Sequence, residues 1–131
     1  MATGLLDTSV VIDWDDASVQ RVLPEGLAVS SITLAELAAG PILATTVNEQ
    51  ARRQARLQQV EATFALVPFD TAAARSFGQI VAAIASIGRT HRSRMGDLLI
   101  AAIAHANAFD LYTRNSADFV GLESLIRVIG V

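Results

Sequence analysis

The chain has 131 residues, 52% of them hydrophobic, and a formal net charge of -3. That suits one folded domain with a sizeable core, excludes a disordered chain and argues against strong non-specific affinity for nucleic acid. It has no cysteine and every basic residue is arginine, which excludes a disulfide framework, a thiolate zinc site, a catalytic thiol, a P-loop lysine and a lysine base.

Gly4-Leu5-Leu6 reads as a short buried strand ending at Asp7. Thr8–Ile12 then either extends that strand or opens a helix, since periodicity does not decide over so few residues. Asp13, Asp15 and Asp16 read as a solvated acidic turn. After a turn at Leu23-Pro24-Glu25-Gly26, Leu27-Ala28-Val29 is a second strand. Ser31 and Thr33 offer N-cap oxygens to a helix through Leu34–Ala39, which Gly40-Pro41 is expected to close.

Thr46-Val47-Asn48-Glu49 has capping-box spacing and opens a polar helix to about Val60, supported by Glu49 and Arg53 as an i, i+4 pair. Phe64–Phe69 is a third strand. Asp70 caps a long helix from Thr71 to about Ile87, and Gly88–Ser93 is a basic loop. Asp97–Ala108 predicts a helix apolar on almost every side, hence central. Leu111-Tyr112-Thr113 and Arg127–Ile129 are the fourth and fifth strands. The longest apolar run, Leu98–Ala104, is too short to span a membrane, and the N-terminus carries no signal-peptide pattern; a cytoplasmic protein is expected. Strands alternating with helices predict one domain over residues 1–131: a three-layer α/β/α sandwich with a mostly parallel central sheet.

Ligands of such sheets bind beyond the carboxyl ends of the strands. There the chain places Asp7-Thr8-Ser9, the Ser30–Glu36 segment and Arg114-Asn115-Ser116-Ala117-Asp118, and Asp97 joins them from the first turn of the apolar helix. Each acid alone has a plainer use. Asp7 and Asp97 suit helix N-termini, Glu36 suits the return partner of a capping box from Thr33, and Asp118 suits an ordinary loop. Together they form an acidic pocket whose repulsion a hard divalent cation would relieve, and Mg²⁺ or Mn²⁺ on oxygen ligands suits phosphodiester hydrolysis. Arg89, Arg92 and Arg94 lie just before Asp97 as candidate phosphate contacts. His105 reads as a satisfied core histidine, and His91 and His105 form no zinc pattern.

Four segments now resemble a known family, in its order and along the whole chain. Leu5-Leu6-Asp7-Thr8-Ser9-Val10-Val11-Ile12-Asp13 resembles the opening of PIN domains, and Ser31-Ile32-Thr33-Leu34-Ala35-Glu36-Leu37 their second motif. Asp97-Leu98-Leu99-Ile100-Ala101-Ala102 resembles the third, and Thr113-Arg114-Asn115-Ser116-Ala117-Asp118-Phe119 the fourth. The VapC toxins of bacterial VapBC toxin–antitoxin pairs are the most similar group. The resemblance implies a Mg²⁺- or Mn²⁺-dependent endoribonuclease acting on tRNA or rRNA, a VapB-type antitoxin as inhibitor, and a homodimer. It implies metal binding by Asp7 and Asp97, with Glu36 as a further site acid. At the fourth motif Asn115 stands where some relatives carry an acid, and Asp118 is the candidate substitute. Thr8 and Asn115 are further candidate substrate contacts. Part of the dimer interface is expected on the long helix, at Phe77, Ile80, Val81 and Ile84.

Three other readings compete. A phosphoacceptor receiver needs paired acids after the first strand and a late lysine, and this chain has neither. A nuclease acting on DNA and a non-catalytic binding module remain as alternatives.

Overall fold

The computed structural model describes residues 3–131. Five strands form one sheet: β1 (Thr3–Leu6), β2 (Gly26–Ser30), β3 (Ala65–Val67), β4 (Asp110–Thr113) and β5 (Val128–Gly130). Their order is β3-β2-β1-β4-β5, and every pairing is parallel. The sheet is thus wholly parallel where the sequence predicts a mostly parallel one.

Among the described residues six helices connect the strands: α1 (Thr8–Ile12), α2 (Ala17–Gln20), α3 (Ser31–Leu43), α4 (Val47–Thr63), α5 (Thr71–Ser86) and α6 (Met95–Asn107). Short 3-10 turns at Arg92–Arg94 and Ser116–Phe119 flank the last two connections. Thr8–Ile12 therefore opens a helix.

Neighbouring residues on each strand face opposite ways, as a pleat requires. Leu5, Ala28 and Leu111 bury on one face with Ile80, Ile84, Ile100 and Ile103 of α5 and α6. Leu6, Val29 and Tyr112 bury on the other with Val10, Leu37 and Val60. Two cores on two faces of one sheet make the three-layer sandwich. Gly4 lets it close: a Cβ there would lie 2.6 Å from the Tyr112 ring.

Capping follows the sequence closely. Thr46 accepts from the Glu49 N–H at 3.1 Å, Asp70 from the Ala73 N–H at 2.9 Å, and Arg53 pairs with Glu49 at 3.0 Å. The third helix departs from expectation. Its N-cap is Ser30, whose Oγ accepts from the Thr33 N–H at 3.1 Å. It also runs through Gly40-Pro41 to Leu43. Proline removes one backbone donor and crowds the preceding turn, yet Pro41 is buried. Arg53 from α4 donates to the Gly40 carbonyl at 2.9 Å. Packing on α4 thus carries the helix one turn past its local stop signal.

Part of the apolar face of α5 expected at a dimer interface turns inward. Ile80 and Ile84 are core residues, and Phe77 packs edge-on against the His91 ring at 6.5 Å. The most exposed large apolar side chains are instead Ile42 and Val47, with Leu43 between them, where α3 passes into α4.

Candidate active site

In the order β3-β2-β1-β4-β5 the chain winds outward in both directions from the β1–β4 seam. Connections leave that seam on opposite sides, which opens a crevice beyond the carboxyl ends of these two strands. Asp7 directly follows β1, and the Arg114–Asp118 loop follows β4.

Asp7 is 4% exposed. Its backbone occupies the N-cap position of α1, but its side chain makes no capping bond. Instead Oδ2 accepts from Ser9 Oγ at 2.8 Å and from Thr113 Oγ1 at 2.9 Å. Ser9 Oγ also accepts from the Arg114 N–H, and Thr113 Oγ1 from the Asn115 N–H, each at 3.0 Å. Two hydroxyls therefore lock a buried carboxylate to the start of the β4 loop.

Glu36 is no capping-box partner, because Ser30 rather than Thr33 caps α3. It lies one turn inside that helix, where Oε1 accepts from Thr8 Oγ1 at 3.1 Å. Thr8 Oγ1 also shares a 2.9 Å hydrogen bond with Thr33 Oγ1. Burial, with the nearby Asp7 charge, pushes the Glu36 carboxyl up, and the Thr8 bond opposes this. Thr8 is thus placed to orient Glu36.

Asp97 sits in the first turn of α6. Its carboxyl is pushed up to about 6 by burial, then by the charges of Asp7, Asp118 and Glu36. Arg94 opposes them. Three acids from positions as far apart as 7 and 118 thus bear on Asp97.

Asp118 lies in the 3-10 turn after β4, and its Oδ1 meets Arg94 Nη1 at 3.0 Å. Asn115 is exposed, and among the described residues its side chain forms no hydrogen bond. Its φ of -129° is extended, so it fills no left-handed turn. Of the three arginines before Asp97, only Arg94 touches a site acid; Arg89 and Arg92 are exposed and form no ion pair among the described residues. The acidic turn has its own partner: Arg114 reaches Asp13 at 3.4 Å and Asp16 at 3.5 Å. His105 shares a 2.8 Å hydrogen bond with Ser76 Oγ, in keeping with a structural role. A cavity of about 450 Å³ opens beside Glu36 and Thr8, walled by Ile12, Leu37, Leu43 and Arg56.

Sequence reasoning missed the hydroxyls of Ser9, Thr33 and Thr113. Ser9 stands two residues from Asp7, a spacing that favours a local side-chain bond. Thr113 gave no local signal, because it reaches Asp7 only through the β1–β4 pairing.

A family profile described as PIN domain matches residues 4–120. The chain belongs to the PIN-domain family. Among PIN-domain relatives it is 36% identical over 129 residues to Ribonuclease VapC5 of Mycobacterium tuberculosis, covering 97% of this chain and 93% of that one. Its fold matches a crystal structure of VapBC-5 from the same organism, with a TM-score of 0.87, 35% identity and full coverage of both chains. FitAcB of Neisseria gonorrhoeae matches with a TM-score of 0.80 and 25% identity, over 97% of this chain and 96% of that one. DNA-bound VapBC of Salmonella typhimurium matches with a TM-score of 0.77 and 26% identity, over 98% and 97%.

Proposed function

We propose that this PIN-domain chain is the toxin of a type II toxin–antitoxin pair: a Mg²⁺- or Mn²⁺-dependent endoribonuclease whose site is Asp7, Glu36, Asp97 and Asp118. The observation that carries this reading is the pair of site acids at the switch point of the sheet: Asp7 is buried after β1, and the Asp97 carboxyl is pushed up to about 6 by burial and then by the charges of Asp7, Asp118 and Glu36. The ribonuclease name of the VapC5 relative favours RNA over DNA as substrate.

The donor set fits a hard cation. Every candidate ligand is a carboxylate, hydroxyl or amide oxygen, and among the described residues no group of three or more acidic or histidine side chains is placed to hold a metal ion together. Mg²⁺ needs no such cage, because it takes one or two carboxylates and keeps several waters. Asp7 and Asp97 would hold it; bound there, it would supply an activated water and offset charge on the phosphate.

The chain's own residues divide the remaining work. Ser9 and Thr113 fix Asp7 through one oxygen, Oδ2, and among the described residues the other accepts no side-chain hydrogen bond. Thr8 steadies Glu36 by donating to Oε1. Asp118 supplies the fourth negative charge. Arg89 and Arg92, exposed on the loop before α6, offer phosphate contacts to an RNA strand, and Asn115 stands at the rim. Substrates of the tRNA or rRNA class, a VapB-type antitoxin and a homodimer complete the reading; the match to VapBC toxin–antitoxin structures favours the antitoxin. The exposed apolar corner at Ile42, Leu43 and Val47 favours a protein partner over solvent. Residues 1–131 form one domain on this reading, since β5 completes the sheet beyond the matched segment. No helix of the described residues is long and apolar enough to cross a membrane, and a cytoplasmic setting suits an RNA substrate.

The test is cleavage of matched RNA and DNA oligonucleotides by the purified chain, with Mn²⁺ or with chelator, for the parent and Asp97→Asn. Mn²⁺-dependent cutting of RNA by the parent alone is expected. Equal cutting by Asp97→Asn, or cutting unaffected by chelator, would overturn the assignment.

A further inference from the structure

We propose that Arg94 is the internal counter-ion of the acidic site: its guanidinium holds Asp118 in the cation-free protein and releases it when a divalent cation arrives. This rests on the cation-dependent reading above and assigns Arg94 a role other than phosphate contact.

The geometry singles out this arginine. Arg94 closes the 3-10 turn Arg92–Arg94 and stands three residues before Asp97. From there its Nη1 crosses to Asp118 Oδ1, 24 positions away, at 3.0 Å. Among the described residues it is also the cation whose charge opposes the three acids acting on Asp97. Arg114, the other arginine near the site loop, is turned to Asp13 and Asp16. Asp97 and Asp118 therefore share one neutralising group.

The pair is built to exchange. Both side chains are a third or more exposed, and one nitrogen meets one oxygen rather than the two-pronged contact of which arginine is capable. A divalent cation brings twice the charge, so it competes for the same carboxylates and repels the guanidinium. The signs follow. Without Arg94 the cation-free protein keeps its repulsion uncompensated and melts lower. The same loss lets Mn²⁺ bind without displacing or facing a positive group, so it binds more tightly. An arginine serving only to brace the loop would give the first effect and the opposite of the second.

The experiment uses the full chain, freed of metal by chelator, as parent, Arg94→Gln, Arg94→Met and Arg94→Lys. Melting is followed without metal, and Mn²⁺ affinity is measured by calorimetry. Arg94→Gln should melt below the parent and bind Mn²⁺ about three- to tenfold more tightly. Arg94→Lys, which keeps the charge, should stay near the parent. Adding Asp118→Asn to Arg94→Gln should erase most of the gain. Arg94→Met preserves the stem and serves where Arg94→Gln folds poorly. Unchanged or weaker Mn²⁺ binding by the folded neutral variants would overturn the proposal. If the parent itself binds no Mn²⁺, the cation-dependent reading fails first and the exchange falls with it.

Discussion

Asp7 and Asp97 face one crevice, yet the fold maintains them by opposite means. Asp7 is almost wholly buried, with one oxygen tied to two hydroxyls. Asp97 is half-buried, accepts no side-chain hydrogen bond among the described residues, and is pushed up to about 6 by burial and three neighbouring acids. Desolvation and like charges penalise the charged form of Asp97. One acid is seated by the protein; the other is strained by it, and only a proton or a cation relieves that strain.

The comparison breaks most visibly in paired asparagine variants. Asp7→Asn and Asp97→Asn should each cut RNA cleavage by about a hundred- to a thousandfold, the scale of a few kcal/mol in the barrier. Their stabilities should diverge. Asp97→Asn removes a penalised charge and should raise the melting temperature of the metal-free protein at neutral pH. Asp7→Asn weakens two charge-assisted hydrogen bonds and should lower it. Calorimetric melts of both beside the parent decide the matter. A shift of the same sign in the two would erase the distinction.

Thr113→Val probes the seated half alone. It keeps the shape of the side chain but removes a hydroxyl that donates to Asp7 and accepts from the Asn115 N–H. The cost should be about 1–3 kcal/mol of stability, as expected when a buried charged acceptor loses a donor. Chemical denaturation measures it. A loss below experimental error would mean that Ser9 alone seats Asp7.

Much of this arrangement was legible in the chain. Asp70 before an apolar helix and Thr46 three residues before Glu49 both marked the caps that form. Strands bounded by Asp7 and Thr113 marked the ends that meet at the crevice. What was not legible depends on tertiary neighbours. The Gly40-Pro41 stop was overridden because Arg53 and burial on α4 hold the extra turn. Of Phe77, Ile80, Val81 and Ile84, expected to exceed what the sheet covers, Ile80 and Ile84 are buried in the core and Phe77 packs against it, because the α6 layer covers them. The hydroxyl of Thr113 reaches Asp7 across 106 positions, which no local pattern encodes.

The strained half has a pH signature. In the unfolded chain Asp97 titrates near its ordinary value of 3.8, and in the folded protein at about 6. Between these values the folded state holds more protons than the unfolded one, so stability falls as pH rises through that window and levels off above it. The half-exposed position reduces the effect to on the order of 1 kcal/mol. Melting of the metal-free parent from pH 4 to 7 should show this added decline, and Asp97→Asn should lack it. Parent and variant curves that run parallel would deny the strain.

The smallest effect separates Asn115 from Asp118, which share the loop after β4. The sequence places Asn115 where some relatives carry an acid and offers Asp118 as the substitute. The side chain of Asn115 is exposed and unbonded; only its backbone N–H is used, and Asn115→Ala keeps that N–H. Its extended φ removes any need for a residue that tolerates left-handed backbone. Asn115→Ala should therefore change stability by less than about 0.5 kcal/mol, as surface substitutions do, and leave Mn²⁺ affinity within error. Asp118→Asn removes a charge that acts on Asp97 and the partner that holds Arg94. It should weaken Mn²⁺ binding and slow turnover severalfold more than Asn115→Ala does. Affinity, turnover and melting in one buffer test both halves of the expectation. If Asn115→Ala abolished Mn²⁺ binding while Asp118→Asn left it intact, the amide would be the fourth ligand. The Arg94–Asp118 pair would then be a brace for the loop rather than part of the site.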